Sequence, residues 1–327
     1  MNKQAISFIS VSVMLIIVTI YAGMTGSLQV SLTEFVQGIF GEPSDQMAIV
    51  RDLRFPRMLI AIFAGACLSV SGVLFQAVMR NPLAEPGIIG VSAGASFVSI
   101  IAAMLFPTLF FYTPLFSFIG GMIAFFLVYI LSWKSGIQPL RMILIGIAIN
   151  ALFSGLSQML GATNNALVTS ISSSVTSSLQ MKKWSDVESI VIFGSIGLLL
   201  AFIVFKWCNY LQLEQKTAKS LGLNVNLLRW TVSIIAVLLA SIATAVAGMF
   251  TFVGLLIPHI GRSLVGSDHR VLIPFSALAG ALLILLADTI GRTVIAPHEI
   301  PASVMMAVIG GPFLILLLRR SEQIDEH

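Results

Sequence analysis

The sequence predicts an all-α, polytopic membrane protein with about ten transmembrane helices. Three observations carry that reading. The 327 residues are 57% hydrophobic and 10% charged, whereas a soluble domain is about 25% charged. Apolar runs of about twenty residues, the length that crosses a bilayer as a helix, recur along the whole chain. The basic residues fall between those runs, where positive charge sets topology.

Taken in order, the runs lie near Ile6–Thr25, Arg57–Met79, Ile88–Phe106, Pro114–Trp133, Leu140–Leu160, Val187–Trp207, Leu228–Gly248, Phe252–Val265, Val271–Gly291 and Pro301–Leu318. The first has no small-residue cleavage site and reads as a retained span. The eighth is too short to cross as one helix, so the AGMFTFVG stretch before it must add irregular backbone. Such backbone survives at membrane depth only where protein or a watery cavity satisfies it. Residues 1–327 form a single transmembrane domain.

With the N-terminus inside, Lys3, Arg80, Lys134, Arg141, Lys206, Lys216, Lys219, Arg229, Arg262, Arg270, Arg319 and Arg320 fall on the inner side, 12 of the 18 basic residues. Arg51, Arg54, Arg57, Lys182, Lys183 and Arg292 fall outside. The bias places both termini in the cytoplasm. The net charge of +4 is dispersed between apolar runs and gives no case for nucleic acid. Cys67 and Cys208 suggest neither a disulfide framework nor a metal motif.

Chemistry is scarce. There is no GxxxxGK[ST] loop for ATP phosphates and no HExxH. His298-Glu299 lacks a second histidine one turn on, and no nucleophile sits beside a base. An enzyme is not indicated. The fifth span carries a polar and small face of Gly146, Asn150, Ser154, Ser157, Gln158 and Gly161. Both a helix-packing face and a path-lining face fit it. Ala61, Gly65, Ser69 and Gly72 in the second span read as small-residue packing. Asp288 and Arg292 are four apart, the spacing of an internal ion pair; a proton-relay acid is the sharper alternative. Ser170–Ser178 reads as a loop or short surface helix. Two regions broken by Gly and Pro, Asn81–Gly94 and Gly248–Gly261, lie five spans apart. Breaks in corresponding halves point to inverted repeats around a path.

The longest inner interruption is Lys206–Arg229. Leu213, Thr217 and Leu221 recur at four-residue spacing, so a short helix there can present one partly apolar face. Gly222 and Asn224 supply its stop. A solvated basic linker is the plain reading of its composition.

At these residues the chain resembles the permease subunits of ABC importers for vitamin B12, iron-siderophores and haem. The matching stretches are Arg54-Phe-Pro-Arg57, Gly72-Val-Leu-Phe-Gln76, Asn81-Pro-Leu-Ala-Glu-Pro86 with Gly90 and Gly94, Phe252-Val-Gly-Leu-Leu-Ile-Pro-His259 with Arg262, Gly266-Ser-Asp-His-Arg270, Asp288-Thr-Ile-Gly-Arg292, Glu299-Ile-Pro301 and Gly310-Gly-Pro-Phe313. They run from the first outer loop to the last span in the family's order. The resemblance implies the type II ABC importer permease architecture: a homodimer, or a paralogous heterodimer, of ten-span subunits with the path at their interface. It implies a cytoplasmic ATPase dimer that binds the ATP, so this chain carries no cofactor and no metal. It implies an extracytoplasmic substrate-binding protein whose acidic residues meet Arg54, Arg57 and Arg292. The coupling loop becomes Leu213, Glu214, Gln215, Ala218, Leu221 and Gly222. There the family pattern has Gly-Glu where this chain has Glu214-Gln215. The family's tryptophan motif before the sixth span is replaced by Val175-Thr-Ser-Ser-Leu179.

The expectation is a multi-pass permease of a bacterial cytoplasmic membrane, in contact with lipid, that imports an iron chelate: siderophore first, haem second, cobalamin third. An ion-coupled secondary transporter is the rival, and a protonophore would abolish its uptake. An intramembrane hydrolase lacks its catalytic residues.

Overall fold

The computed structural model describes residues 3–26, 31, 33–34, 45–132, 139–162, 179–295 and 298–325. Those residues form helices and their connections, with no strand among them. The helices are α1 (Lys3–Met24), α2 (Asp45–Met79), α3 (Val91–Leu105), α4 (Thr113–Ser132), α5 (Pro139–Gly161), α6 (Trp184–Ile203), α7 (Phe205–Gln212), α8 (Gln215–Ser220), α9 (Val225–Ala247), α10 (Val253–Val265), α11 (His269–Thr293) and α12 (Ala302–Asp325). A 3-10 turn, Pro107–Tyr112, joins α3 to α4.

By length and composition, α1, α2, α4, α5, α6, α9 and α11 can each cross a membrane. Three shorter apolar helices are α3, α10 and the Ala302–Leu316 part of α12. Together they stand at the ten positions the sequence predicts. The Ser170–Ser178 segment and residues 175–178 of the Val175–Leu179 match lie outside the described residues.

Two of the differences in boundary bear on packing. The second span was expected from Arg57, but α2 begins at Asp45 and carries Arg54, Pro56 and Arg57 within it. The added turns have their own apolar anchor: Met47 and Val50 are buried, with Met24 and Phe55 packed against them. The sixth span was expected to reach Trp207, but α6 ends at Ile203 and α7 starts at Phe205. Cys208 and Leu211 of α7 are buried, so this short helix is held by one apolar side.

Helix α2 is the centre of the bundle. Of its most apolar stretch, 83% is buried, against 6% for α1 and 17% for α5. It packs on α11, α9, α6 and α10. Lipid tails are as apolar as leucine, so helices in a bilayer associate through close packing and interhelical hydrogen bonds. Both occur on α2. Gly65 meets Gly280 of α11 and Gly72 meets Gly254 of α10 so closely that a methyl group on Gly65 or Gly72 would overlap the opposing carbonyl. Between them, Ser69 Oγ donates to the Ser276 carbonyl at 2.6 Å. On another side, Ser71 Oγ donates to Ala236 of α9 at 2.7 Å. The small-residue face read from the sequence is therefore the seam on which the bundle closes.

The contacts at this seam set an expected outcome. Gly72→Ala should lower the thermal unfolding temperature of the detergent-solubilised protein, since overpacking a filled core costs about 1–3 kcal/mol. Gly155→Ala, where an added methyl meets no atom within 4 Å, should unfold with wild type. Equal melting of Gly72→Ala and wild type would show that the seam has room.

Candidate functional site

Four sets of residues bear on function, two at the ends of the bundle and two within it. The polar face of α5 is divided. Gly146 is buried against the chain at Ile88 and Ile89, where a methyl would come within 2.7 Å of the Ile88 carbonyl. Asn150, Ser154 and Ser157 are half-buried and Gln158 is exposed. Ser154 Oγ donates to Asn150 Oδ1 at 3.3 Å, and Ser157 Oγ to the Phe153 carbonyl at 2.9 Å. Within one subunit these hydroxyls are satisfied from their own helix, and the face stays open for water or another chain.

The two broken segments meet each other. Each launches a short helix from a left-handed residue: Gly90 (φ 86°) before α3 and Phe252 (φ 69°) before α10. Glu85, buried in the first break, accepts a hydrogen bond from the Phe252 backbone N–H at 3.2 Å. Gln76 Nε2 donates to the Gly254 carbonyl at 3.2 Å. Backbone groups at the second break thus find partners on the first break and on α2, as the apolar surroundings require.

One end of the bundle is basic. Lys3 and Gln4 donate to the carbonyls of Ser263 and Val265 at 3.0 and 2.8 Å, so the start of α1 and the end of α10 share it. The α7–α8 loop lies here. Asn209 fixes α7 to the start of α11: its Nδ2 donates to Asp268 Oδ1 at 2.8 Å, and its Oδ1 accepts from the His269 N–H at 3.0 Å. Arg80 donates to the carbonyls of Leu211 (2.7 Å) and Leu213. The expected short helix is present as α8. Ala218 is buried inside the subunit, Leu213 is half-buried, and Glu214, Thr217 and Leu221 are exposed. Gly222 closes the helix at φ 74°, and the Leu223 N–H returns to the Ala218 carbonyl at 3.2 Å. Of the predicted coupling residues, Leu221 therefore offers its side chain outward while Ala218 does not; the side chain of Gln215 lies outside the described set. An open cleft of about 550 Å³ adjoins the loop, lined by Arg80, Pro82, Gln212, His259 and Arg262 among others.

The opposite end holds the three predicted docking arginines, and all three turn inward. Arg54, Arg57 and Arg292 are each 7–8% exposed. Arg57 forks onto Asp288, with Nη2 2.7 Å from Oδ1 and Nε 3.0 Å from each carboxylate oxygen. Its Nη1 reaches Glu299 Oε2 at 2.8 Å. Arg292 Nε stands 3.3 Å from Asp288 Oδ2, the expected ion pair. Arg292 Nη2 and Arg54 Nη1 donate to the carbonyls of Ala22 and Gly23, the free acceptors at the end of α1. No local pattern marks Arg57 as a partner of the acid beside Arg292, because 231 residues separate Arg57 from Asp288. Arg51, Asp52, Gln180, Lys183 and Glu299 are among the exposed polar residues at this end.

A helical bundle with two broken segments packed together at its centre and a polar face on α5 is the arrangement of a transport permease. The chain belongs to the FecCD transport family, whose model matches residues 14–320. It is a permease subunit of an ABC transporter and not an enzyme. It is 39% identical, over 98% of both chains, to proteins of Staphylococcus aureus strains MSSA476 and MW2 described as the heme-iron transport system permease IsdF. Among solved structures it resembles an ABC transporter described as of metal-chelate type, in an inward-facing conformation, with a TM-score of 0.78 and 28% identity over 97% of this chain and 99% of that one. PsaBC from Streptococcus pneumoniae shares the fold at a TM-score of 0.61 and 17% identity, over 88% and 95% of the two chains. The architecture is that of a type II ABC importer.

The arginine cluster yields two expected outcomes. Asp288→Ala leaves Arg57 and Arg292 facing each other without their shared carboxylate. Removing one partner of a buried pair costs about 3–5 kcal/mol, so this variant should melt below Arg57→Ala, in which Asp288 keeps Arg292. The reverse order would show that Asp288 is not the hub. Burial pushes the Glu299 carboxyl up, but the Arg57 hydrogen bond and charge, with Gln180 and Arg292, hold it below the ordinary value. Its contribution is thus present above the ordinary glutamate range and lost as pH falls through the lowered value. Melting temperature measured against pH should have a shallower acid limb in Glu299→Gln than in wild type.

Proposed function

We infer that this chain is the membrane-spanning subunit of an ATP-driven importer that carries an iron chelate into a bacterial cytoplasm. It works as a pair of permease subunits, with an ATPase dimer at the basic end and a binding protein at the other. The near full-length similarity to permeases described as heme-iron transporters carries this reading and sets haem ahead of siderophore and cobalamin. The basic end, where Lys3, Arg80, Arg262 and Arg270 gather, faces the cytoplasm by the positive-inside rule, which puts both termini there.

Each set of site residues then has a role. Asn150, Ser154, Ser157 and Gln158 line a wet route between the two subunits, and Gly146 seats their helix against the first break. The α8 loop, Leu213, Glu214, Gln215, Ala218, Leu221 and Gly222, seats in the ATPase as a short helix in a groove. Leu221 supplies the outward contact, while Ala218 holds the helix to the permease. At the far end, Arg54, Arg57 and Arg292 shape the docking platform from within, and Arg51 and Lys183 present charge to an acidic partner.

Two experiments test this. Leu221→Asp should insert normally yet lose the co-purifying ATPase; an intact complex that transports would reject α8 as the contact. Ala218→Arg is a poorer probe, because it would disrupt the loop itself. Single cysteines at Asn150, Ser154 and Gln158 should react with an impermeant thiol reagent in at least one of the resting, ATP-bound and vanadate-trapped states. Protection in all three would leave α5 a packing helix.

A further inference from the structure

We propose that Arg80 is the positioning residue that carries movement of the α7–α8 loop into the two broken segments of the transport path. The inference rests on the reading of α8 as the ATPase contact and adds the link from that contact to the path.

The geometry begins with the backbone. Arg80 is the first residue after α2 and takes φ 49°, a left-handed conformation that is uncommon outside glycine. That conformation ends α2 and starts the first break. Its side chain leaves in another direction. Nε donates to the Leu211 carbonyl at 2.7 Å and Nη2 to the Leu213 carbonyl. Leu213 is the residue at which α7 ends in extended backbone. The next carbonyl, that of Glu214, accepts the Ala218 N–H at 2.9 Å and opens the turn of α8. One residue thus starts the break with its main chain and grips the approach to α8 with its guanidinium.

The link continues inward through short contacts. Asn81 Oδ1 accepts the Leu83 N–H at 2.9 Å, and the Ala84 N–H donates to the Asn81 carbonyl at 3.2 Å, so the break starts as a tight turn. Next along the chain, Glu85 holds the Phe252 N–H of the second break. From α8 to Phe252 the connection is continuous through hydrogen bonds and a few residues of chain. Packed and hydrogen-bonded contacts of this kind carry coupling between distant sites where both sites bias an element with two arrangements.

A plain helix cap is the competing role, since arginine side chains often take up terminal carbonyls. The position of the bonds argues against it. Asn209 already fastens α7 to the start of α11 through Asp268 and His269. Arg80 adds a second attachment, at the α8 side, from the junction of α2 and the first break. Its two donors lie in one rigid plane and hold two carbonyls at once, which a lysine ammonium on a flexible stem does not reproduce.

The test uses the permease assembled with its ATPase and a cysteine at Pro82. Pro82 is exposed and lines the open cleft, while the native Cys67 and Cys208 are buried. The readout is the labelling rate of Pro82→Cys by an impermeant maleimide, without nucleotide and after vanadate trapping. In the otherwise wild-type complex the two rates should differ about fivefold or more, the scale of ordinary allosteric coupling. In Arg80→Gln the rates should become equal while ATP hydrolysis continues. Arg80→Lys, which keeps the charge, should give an intermediate difference and serves where Arg80→Gln does not assemble. Arg270→Gln, an exposed cation at the same end, should behave as wild type. An undiminished difference in Arg80→Gln or Arg80→Lys overturns the proposal, as does an equal loss in Arg270→Gln or no nucleotide-dependent difference to begin with. Failure of the underlying reading looks different: Leu221→Asp then keeps its ATPase, whatever Pro82→Cys reports.

Discussion

Backbone-to-backbone contact along α2 is the constraint on which the rest of the subunit depends. Gly65 against Gly280 and Gly72 against Gly254 bring three helices closer than any side chain allows. Apolar burial contributes little between helices already in lipid, so this proximity has to come from van der Waals contact and hydrogen bonds such as Ser69 to Ser276. The same contact sets the level of α10, whose start at Val253 lies beside the α2 seam. The depth at which the second break sits follows from where α2 carries a glycine.

The breaks show how such a bundle tolerates irregular backbone. Each launches its short helix from a left-handed residue, and one of these is Phe252 rather than glycine. Phe252 presses its ring on Gly310 of α12, where a methyl group would overlap it. Glu85 then holds the Phe252 N–H. A conformation disfavoured by about 1–3 kcal/mol at a non-glycine residue persists because neighbours on both sides fix it.

Much of the fold was legible because its signal is one-dimensional. Runs of apolar residues gave ten helices in their places, and the AGMFTFVG stretch announced irregular backbone before the eighth. The small face of α2 was readable from spacing alone. What could not be read depends on partners far away in the chain. Met47 and Val50 extend α2 because Met24 waits for them, and no local pattern marks that. The Arg54-Phe-Pro-Arg57 motif suggested outward charge. Its direction was decided by Asp288 and by the free carbonyls at the end of α1, which only folding brings near. The spacing of Leu213, Thr217 and Leu221 found a helix at α8, yet the buried residue is Ala218, because the helix is a single turn and a half docked by its small side. Arg80 carried no signal beyond its place among the inner cations, and no local pattern marks the bonds of Asn209 to Asp268 and His269.

The anchoring of α1 bears on how the protein is made. This helix emerges before the other described helices, and much of its surface is exposed, with Ile16 and Ile17 about 60% exposed. One side meets α11, where Phe8 lies edge-on to Phe275. Its tips are fastened too: Lys3 and Gln4 reach Ser263 and Val265, Arg292 reaches Ala22, and Arg54 reaches Gly23. Of these partners, only Arg54 comes before the last fifth of the chain. During synthesis, then, this helix has its contact with α2 well before α10 and α11 leave the ribosome to complete the rest. Its full docking marks the late closure of the bundle, and a chain truncated before Ser263 would hold α1 by α2 alone.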